Sequence, residues 1–216
     1  AIEPPEYNIQ KLLNIYNQGK FQETLSEVKP LINFFPNSTI LLNIEGSAND
    51  ALNNYQGAVI SYKKALEIKP NCAETYFNLG NTFKNMNHFE AAVDSYKKAI
   101  KNKPDDAEAY CNMGNAYQLK GDLNAAIENY QQAIKLRPNL FVAYNNMGEA
   151  LQDKGDIDAA IENYREAFKI KDDYAEAYAN LGVTLQALDR LDEAEASYRK
   201  AIALKPDYAL AHCNLG

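Results

Sequence analysis

The chain has 216 residues, of which 46% are hydrophobic and 24% are charged, and its formal net charge is −7. This length suits one large domain or two small ones, and the composition is ordinary for a folded globular protein. The acidic balance argues against nucleic acid or an anionic membrane as the main partner, because phosphate groups are bound by concentrated lysine and arginine. No apolar run approaches the roughly 20 residues that a membrane span requires. The three cysteines are too few and too widely spaced for a disulfide framework or a zinc site.

The sequence repeats itself with a period of 34 residues. One glycine and one tyrosine recur at this spacing, together with two separate alanine series. The glycines are Gly46, Gly80, Gly114, Gly148, Gly182 and Gly216, and the tyrosines are Tyr62, Tyr96, Tyr130, Tyr164 and Tyr198. The alanine series begin at Ala58 and at Ala65. Several series locked to one period indicate a tandem repeat of a single supersecondary unit.

Each repeat is predicted to contain two helices joined by a tight turn. In residues 107–140, apolar side chains recur at spacings of three and four from Ala109 to Tyr117 and again from Leu123 to Ile134, which is the pattern of one helix face. The first helix should end at a residue with positive φ, which glycine tolerates best and asparagine or aspartate next best. The equivalent positions along the chain are Gly19, Asn53, Asn87, Gly121, Gly155 and Asp189, and all are of this type.

Small residues predict where the two helices of a repeat approach each other. Gly114 and Ala126 are expected at the facing surfaces of the helices, and Tyr110 and Tyr130 are expected to fill the wider gaps. A single hairpin of this size cannot bury enough surface to fold, so neighbouring hairpins must stack and share a core. The sequence therefore predicts an all-α solenoid with one concave and one convex face.

The repeat resembles the tetratricopeptide repeat (TPR). The shared pattern is Tyr-x-x-(Leu/Met)-Gly, followed by the alanine, tyrosine, alanine and proline positions, and it covers almost the whole chain. The resemblance implies a right-handed α-α superhelical solenoid of tandem TPR helix hairpins. Full repeats are expected at 39–72, 73–106, 107–140, 141–174 and 175–208. Residues 1–38 are interpreted as a divergent N-terminal TPR-like cap, with Leu12 in place of the glycine and Thr24 in place of the alanine. Residues 209–216 are interpreted as the start of a further repeat, so that either the natural protein continues or this end is cut.

No motif for catalysis or for a cofactor is found in the sequence. There is no glycine-rich phosphate loop, no serine or cysteine in a nucleophile context and no His-Glu spacing typical of a metal site. His88 and His212 stand alone, one in a predicted turn and one at a framework position. We therefore expect no catalytic residues, no metal and no cofactor, and hence a protein that is not an enzyme.

Function is then expected on the first helices, which line the concave face in proteins that this chain resembles. By that resemblance, positions 2, 5, 6, 9, 12 and 13 of each repeat point into the groove. An asparagine side chain both donates and accepts hydrogen bonds, which suits the N–H and C=O groups of an extended peptide. The candidate peptide-binding residues are Asn78, Asn112, Asn146 and Asn180 at position 6, Asn81 and Asn115 at position 9, and Gln118 and Gln152 at position 12.

Two interpretations of these amides stay open. The ladder resembles the one in the TPR superhelix of O-linked N-acetylglucosamine transferase, in which asparagines hold the main chain of the substrate. Asparagine at position 6 is also common across TPRs, and in that case the side chains are expected to bond to adjacent turns or to water. A clamp for a C-terminal carboxylate is not expected, because positions 2, 5 and 6 carry no lysine or arginine.

These observations predict a non-enzymatic interaction scaffold that binds a protein or an extended peptide in its concave groove. The alternative is the N-terminal targeting arm of a larger enzyme, of the glycosyltransferase or sulfotransferase type, whose catalytic domain would lie outside this chain. No polar cap follows Tyr208, Leu210 and Leu215, so self-association through the last repeat is a further hypothesis. The first residues lack the basic start and apolar core of a signal peptide, which favours a cytoplasmic protein. An exported protein without its leader would look the same, so export stays open.

Overall fold

The computed structural model describes residues 3–215, and within that range it contains only helices and the turns between them. The helices in chain order are α1 (Glu6–Asn17), α2 (Phe21–Phe34), α3 (Thr39–Ala51), α4 (Tyr55–Ile68), α5 (Ala73–Asn85), α6 (Phe89–Asn102), α7 (Ala107–Lys120), α8 (Leu123–Leu136), α9 (Phe141–Lys154), α10 (Ile157–Ile170), α11 (Ala175–Ala187), α12 (Leu191–Leu204) and α13 (Ala209–Leu215). From α3 onward, every odd-numbered helix begins at the first residue of a predicted repeat. The predicted all-α fold of tandem helical hairpins is confirmed, whereas the assignment of each repeat as a domain stays a prediction.

Two compact units divide the chain, residues 1–105 and residues 106–216. In the first unit, each helix from α1 to α6 packs against the next, and α3 also packs against α1 and α5. In the second unit, each helix from α7 to α13 packs against the next, and the odd-numbered helices pack against one another in order. Contacts within a unit therefore join only near neighbours along the chain, as in repeat proteins.

The turn between the two helices of a hairpin has a positive φ at one residue. The φ angles are 74° at Gly19, 89° at Gly121 and Gly155, and 59° at Asn53, Asn87 and Asp189. These are the six positions predicted from residue type, so that prediction is confirmed. At Gly121 the backbone N–H donates to the carbonyls at the end of α7, which satisfies groups that the helix end leaves unpaired.

The framework tyrosine of each second helix packs directly against the framework glycine of the first helix. A Cβ added to Gly114 would lie 2.6 Å from Cε1 of Tyr130, and the same relationship holds for the other four pairs. The sequence predicts that the helices approach closely at Gly114 and that Tyr130 fills a wider gap, and for Tyr130 this prediction is wrong, because its ring packs on Gly114 itself. The aromatic ring occupies the space that a glycine side chain would take, which is why a small residue is required there.

The first hairpin solves the same packing problem with different side chains. Leu12 stands where the later repeats have glycine, and Val28 stands 34 residues before the first framework tyrosine. Both side chains are buried in one apolar cluster, with Leu12 at 1% and Val28 at 0% exposure. In this hairpin the larger side chain therefore lies on the first helix and the smaller one on the second, the reverse of the glycine-tyrosine pairs.

Candidate functional site

The buried tyrosines end in hydroxyl groups that contact polar residues of the first helices. The Tyr130 hydroxyl lies 2.7 Å from Asn115 Oδ1 and 2.8 Å from Gln118 Oε1, both on α7. A phenol carries one hydrogen, so Tyr130 donates to one of these oxygens at a time. Burial raises the pKa of Tyr130 above the usual value of about 10, which keeps the hydroxyl protonated as a donor. In the first unit, Tyr96 donates in the same way to Asn81 Oδ1 at 2.7 Å.

Asparagines at position 6 link one repeat of the second unit to the repeat before it. Asn146 on α9 donates through Nδ2 to Asn115 Oδ1 on α7 at 2.8 Å. Asn115 therefore accepts from Tyr130 of its own repeat and from Asn146 of the next one. Because each bond crosses between helices, the amide side chains of α7 and α9 are held in defined positions.

The next junction uses a carboxylate in place of the amide acceptor. Asn180 on α11 donates through Nδ2 to Glu149 Oε1 on α9 at 2.7 Å, and Asn145 donates to the same oxygen at 2.8 Å. Gln152, also on α9, accepts from Tyr164 at 3.0 Å and from the hydroxyl of Thr184 at 2.5 Å. Repeats 141–174 and 175–208 are thus joined by side-chain hydrogen bonds on the same surface.

We call this surface the amide face. It is the polar side of α7, α9 and α11 and carries Asn115, Gln118, Asn146, Glu149, Gln152 and Asn180. The surface carries a carboxyl group, Glu149, among its amides. Burial raises the pKa of this carboxyl above its ordinary value, the hydrogen bonds from Asn145 and Asn180 lower it in part, and the charges of Glu176 and Asp153 raise it further.

The structure brings together five of the eight candidate residues in this network. Asn115, Asn146, Asn180, Gln118 and Gln152 are connected through tyrosine hydroxyls, a neighbouring amide or Glu149. Asn112 lies half-buried on α7 beside them in sequence. Asn78 and Asn81 lie half-buried on α5 in the first unit and are described separately. The bonding partners are side chains of the same or the neighbouring repeat, which neither of the two sequence interpretations included.

A cavity of about 320 Å³ on the first unit was missed by the sequence analysis. Its apolar lining comes from Leu13 and Tyr16 on α1 and from Ile40 and Ile44 on α3, and Asn78 on α5 also lines it. Leu13 and Ile40 remain 37% and 42% exposed. Leu13 and Ile40 fall outside the repeat framework, and their apolar character in a polar surface was the only signal in the sequence.

The remaining predictions concern the C-terminal end of the chain, metal binding and membrane spans. Tyr208 is half-buried and Leu210 is 42% exposed, whereas the side chain of Leu215 lies outside the described residues. Self-association through this end therefore stays a prediction. Within residues 3–215 no group of three or more His, Cys, Asp or Glu side chains is arranged to hold a metal ion. None of the described helices is long and apolar enough to cross a membrane.

Comparisons with known protein families agree with this architecture. Residues 107–140 and 139–207 match family models described as tetratricopeptide repeat, and residues 46–87 and 85–121 match one described as TPR repeat. No curated protein gives a match to the chain.

Several solved structures share the fold. MamA is 30% identical, with a TM-score of 0.68, and the alignment covers 79% of this chain and 93% of MamA. YrrB, described as a TPR protein with an unusual peptide-binding site, is 24% identical, with a TM-score of 0.66 and coverage of 86% of this chain and 96% of YrrB. PilW, described as a widely conserved type IV pilus biogenesis factor, is 16% identical, with a TM-score of 0.88 and 97% of each chain covered. The similarities to YrrB and PilW show only a shared fold.

Stacked helical hairpins, turns with positive φ and paired glycines and tyrosines define a helical repeat protein. The chain belongs to the tetratricopeptide repeat family. Membership of this family supports a role as a protein-interaction scaffold with protein or peptide partners.

Proposed function

We propose that this chain is a non-enzymatic scaffold that binds an extended peptide of a partner protein, and that the amide face is the main binding surface of the second unit. The observation that carries the proposal is the series of asparagines held at defined positions on successive first helices. Asn146 donates through Nδ2 to Asn115 Oδ1 on the preceding repeat at 2.8 Å. Asn180 donates through Nδ2 to Glu149 Oε1 at 2.7 Å and to Asn145 Oδ1 at 3.2 Å, both also on the preceding repeat. An amide oxygen carries two lone pairs, so Oδ1 of each asparagine can still accept from a peptide N–H.

Preorganisation strengthens this proposal. A flexible asparagine loses rotamer freedom when it binds, whereas the side chains of the amide face are already fixed by intramolecular hydrogen bonds. Repeated acceptors along consecutive helices suit a main chain, whose N–H groups recur at regular intervals. YrrB, which shares the fold, is described as having a peptide-binding site. The targeting arm of a larger enzyme would bind peptides in the same way, and nothing in the described residues favours that second role.

A random peptide library tests the proposal. The chain is immobilised and the bound peptides are recovered, sequenced and synthesised, and their dissociation constants are measured by fluorescence anisotropy. We expect Asn146→Ala plus Asn180→Ala to weaken binding by about 10- to 100-fold, because two hydrogen bonds of roughly 1 kcal/mol each are lost.

The control variant is Asn129→Ala plus Asn163→Ala. These asparagines lie on the second helices α8 and α10, and each donates to a backbone carbonyl of its own helix. The control therefore removes the same chemical groups away from the amide face, and it should bind peptides as the unmodified chain does. Failure to recover any peptide, or equal binding by both double variants, would contradict the proposal.

A further inference from the structure

Glu149 accepts a hydrogen bond across the junction of repeats 141–174 and 175–208, and this bond does not require a charged residue. One repeat earlier, Asn115 occupies the equivalent position and accepts the Asn146 amide at 2.8 Å. Glu149 accepts the Asn180 amide in the same way at 2.7 Å. A neutral amide therefore makes the same link. Because a half-buried carboxylate loses favourable hydration, the link alone does not explain why a charged residue stands at position 149.

An open cavity of about 280 Å³ lies next to this carboxylate. It is lined by residues that include Gln118, Glu149, Gln152, Asp153, Val183 and Leu210. Pockets for drug-sized ligands span roughly 300–1,000 Å³, so this cavity suits a single long side chain better than a separate small molecule. Among the described residues that line it there are two carboxylates and no lysine or arginine.

The contacts of the two carboxylates within the second unit are made by neutral groups. Glu149 receives the amides of Asn145 and Asn180, and Asp153 Oδ2 lies 3.4 Å from Gln118 Nε2. The raised pKa of Glu149 agrees with a carboxyl whose charge is not offset by a nearby cation. Val183 and Leu210 add apolar surface to the same cavity, and the methylene stem of a long basic side chain packs well on such surface.

We infer that this cavity binds the lysine or arginine side chain of a peptide held on the amide face, with Glu149 and Asp153 contacting the cation. The inference rests on the proposed function and specifies its partner as a peptide with a basic residue. Hydrogen bonds between a cation and carboxylates are stronger than neutral ones, and arginine can also engage a carboxylate through two parallel bonds. A lysine or arginine thus satisfies both the charge and the shape of the cavity.

Peptides recovered from the random library provide the probe. We expect one position of the recovered sequences to be enriched in lysine or arginine when the unmodified chain is used. Replacing that residue by norleucine, which keeps the stem and removes the charge, should weaken binding about tenfold or more. The preference should disappear with Glu149→Asn, which reproduces the chemistry of residue 115, and it should weaken in added salt.

Glu162→Gln is the matched control, because it makes the same change in net charge at an exposed site on α10. This variant should retain the preference for a basic residue. Recovered peptides without such enrichment, or a preference that survives Glu149→Asn, would overturn the inference. Either result leaves the proposed function intact if the Asn146→Ala plus Asn180→Ala variant still loses binding, whereas a library that yields no peptide would remove both.

Discussion

Gly148 lies against the aromatic ring of Tyr164, and a Cβ added to this glycine would sit 2.6 Å from Cε1 of the ring. Tyr164 is fully buried, at 0% exposure, so the ring has no open space into which it could move. Glycine is an unfavourable residue in a helix interior, by about 1 kcal/mol relative to alanine. Its presence in the middle of α9 is therefore explained by packing, and the same holds for the equivalent glycines.

Gly148→Ala should destabilise the protein by about 1–3 kcal/mol, because the cost of overpacking exceeds the gain in helix propensity. The free energy of unfolding is measured by urea denaturation. The same substitution in a Tyr164→Leu background should be close to neutral or stabilising, because the ring is absent there and the propensity gain remains.

The two backgrounds form a double-mutant cycle whose coupling energy reports on the contact between residue 148 and the ring. An equal effect of Gly148→Ala in both backgrounds would show that the ring is not the reason for the glycine.

The turns allow a second prediction, because Gly155 and Asp189 occupy the same place in successive repeats. Gly155 has a φ of 89°, and a Cβ there would meet nothing within 4 Å. Gly155→Ala should therefore cost about 1–2 kcal/mol through backbone strain alone. Asp189, with a φ of 59°, is the reverse case, and Asp189→Gly should stabilise the protein by roughly 0.5–1 kcal/mol.

Both variants can be compared by thermal denaturation. Gly155→Asn is the control, because asparagine tolerates this backbone conformation better than alanine and should cost less. The explanation from backbone strain fails if the alanine and asparagine variants have the same melting temperature.

The tyrosine hydroxyls lead to a third prediction. Tyr130→Phe removes the donor that lies 2.7 Å from Asn115 Oδ1 and 2.8 Å from Gln118 Oε1. The loss should be about 0.5–1.5 kcal/mol of unfolding free energy, since one buried hydrogen bond is removed with little change in volume. Tyr7→Phe is the control, because Tyr7 is 77% exposed and its substitution should change stability by less than about 0.5 kcal/mol. Equal effects of the two substitutions would argue against a structural role for the Tyr130 hydroxyl.

Much of the fold follows from local chemistry that the sequence displays directly. The positive φ at Asn87 and Asp189 is a property of single residues in a turn, and residue type alone predicts it. The starts of the odd-numbered helices from α3 onward recur every 34 residues, so the repeat period predicts them as well. The contact between Gly148 and Tyr164 could not be predicted, because the sequence gives the period of each series but not which side chain of one helix meets which residue of the other.

The amide face was harder to predict than the fold. The sequence identifies Asn146 and Asn180 as members of a regular series, but their partners Asn115 and Glu149 lie 31 residues earlier in the chain. That spacing is not a multiple of the repeat period, since it joins position 6 of one repeat to position 9 of the repeat before. Only the packing of α9 against α7 and α11 brings these positions together.

A fourth prediction concerns the pH dependence that Glu149 introduces. Burial raises the pKa of the Glu149 carboxyl in the folded protein above that of the unfolded chain, and the neighbouring carboxylates of Glu176 and Asp153 act in the same direction. The folded state therefore binds the proton more tightly than the unfolded state, and the ionised form of Glu149 lowers stability. This destabilisation is absent below the unfolded pKa of about 4.3 and develops as the pH rises through the raised folded pKa.

Glu149→Gln should accordingly raise the free energy of unfolding at neutral pH, because glutamine Oε1 can still accept from Asn145 and Asn180 without carrying a charge. The gain should shrink as the pH is lowered and vanish below about pH 4, where glutamate itself is neutral. Urea denaturation over this pH range, with Glu162→Gln as an exposed control, makes the measurement. A gain that is constant across the pH range would indicate improved packing and not the removal of a charge. The expected result means that the carboxylate is retained at the expense of stability, as is common for residues that bind a ligand.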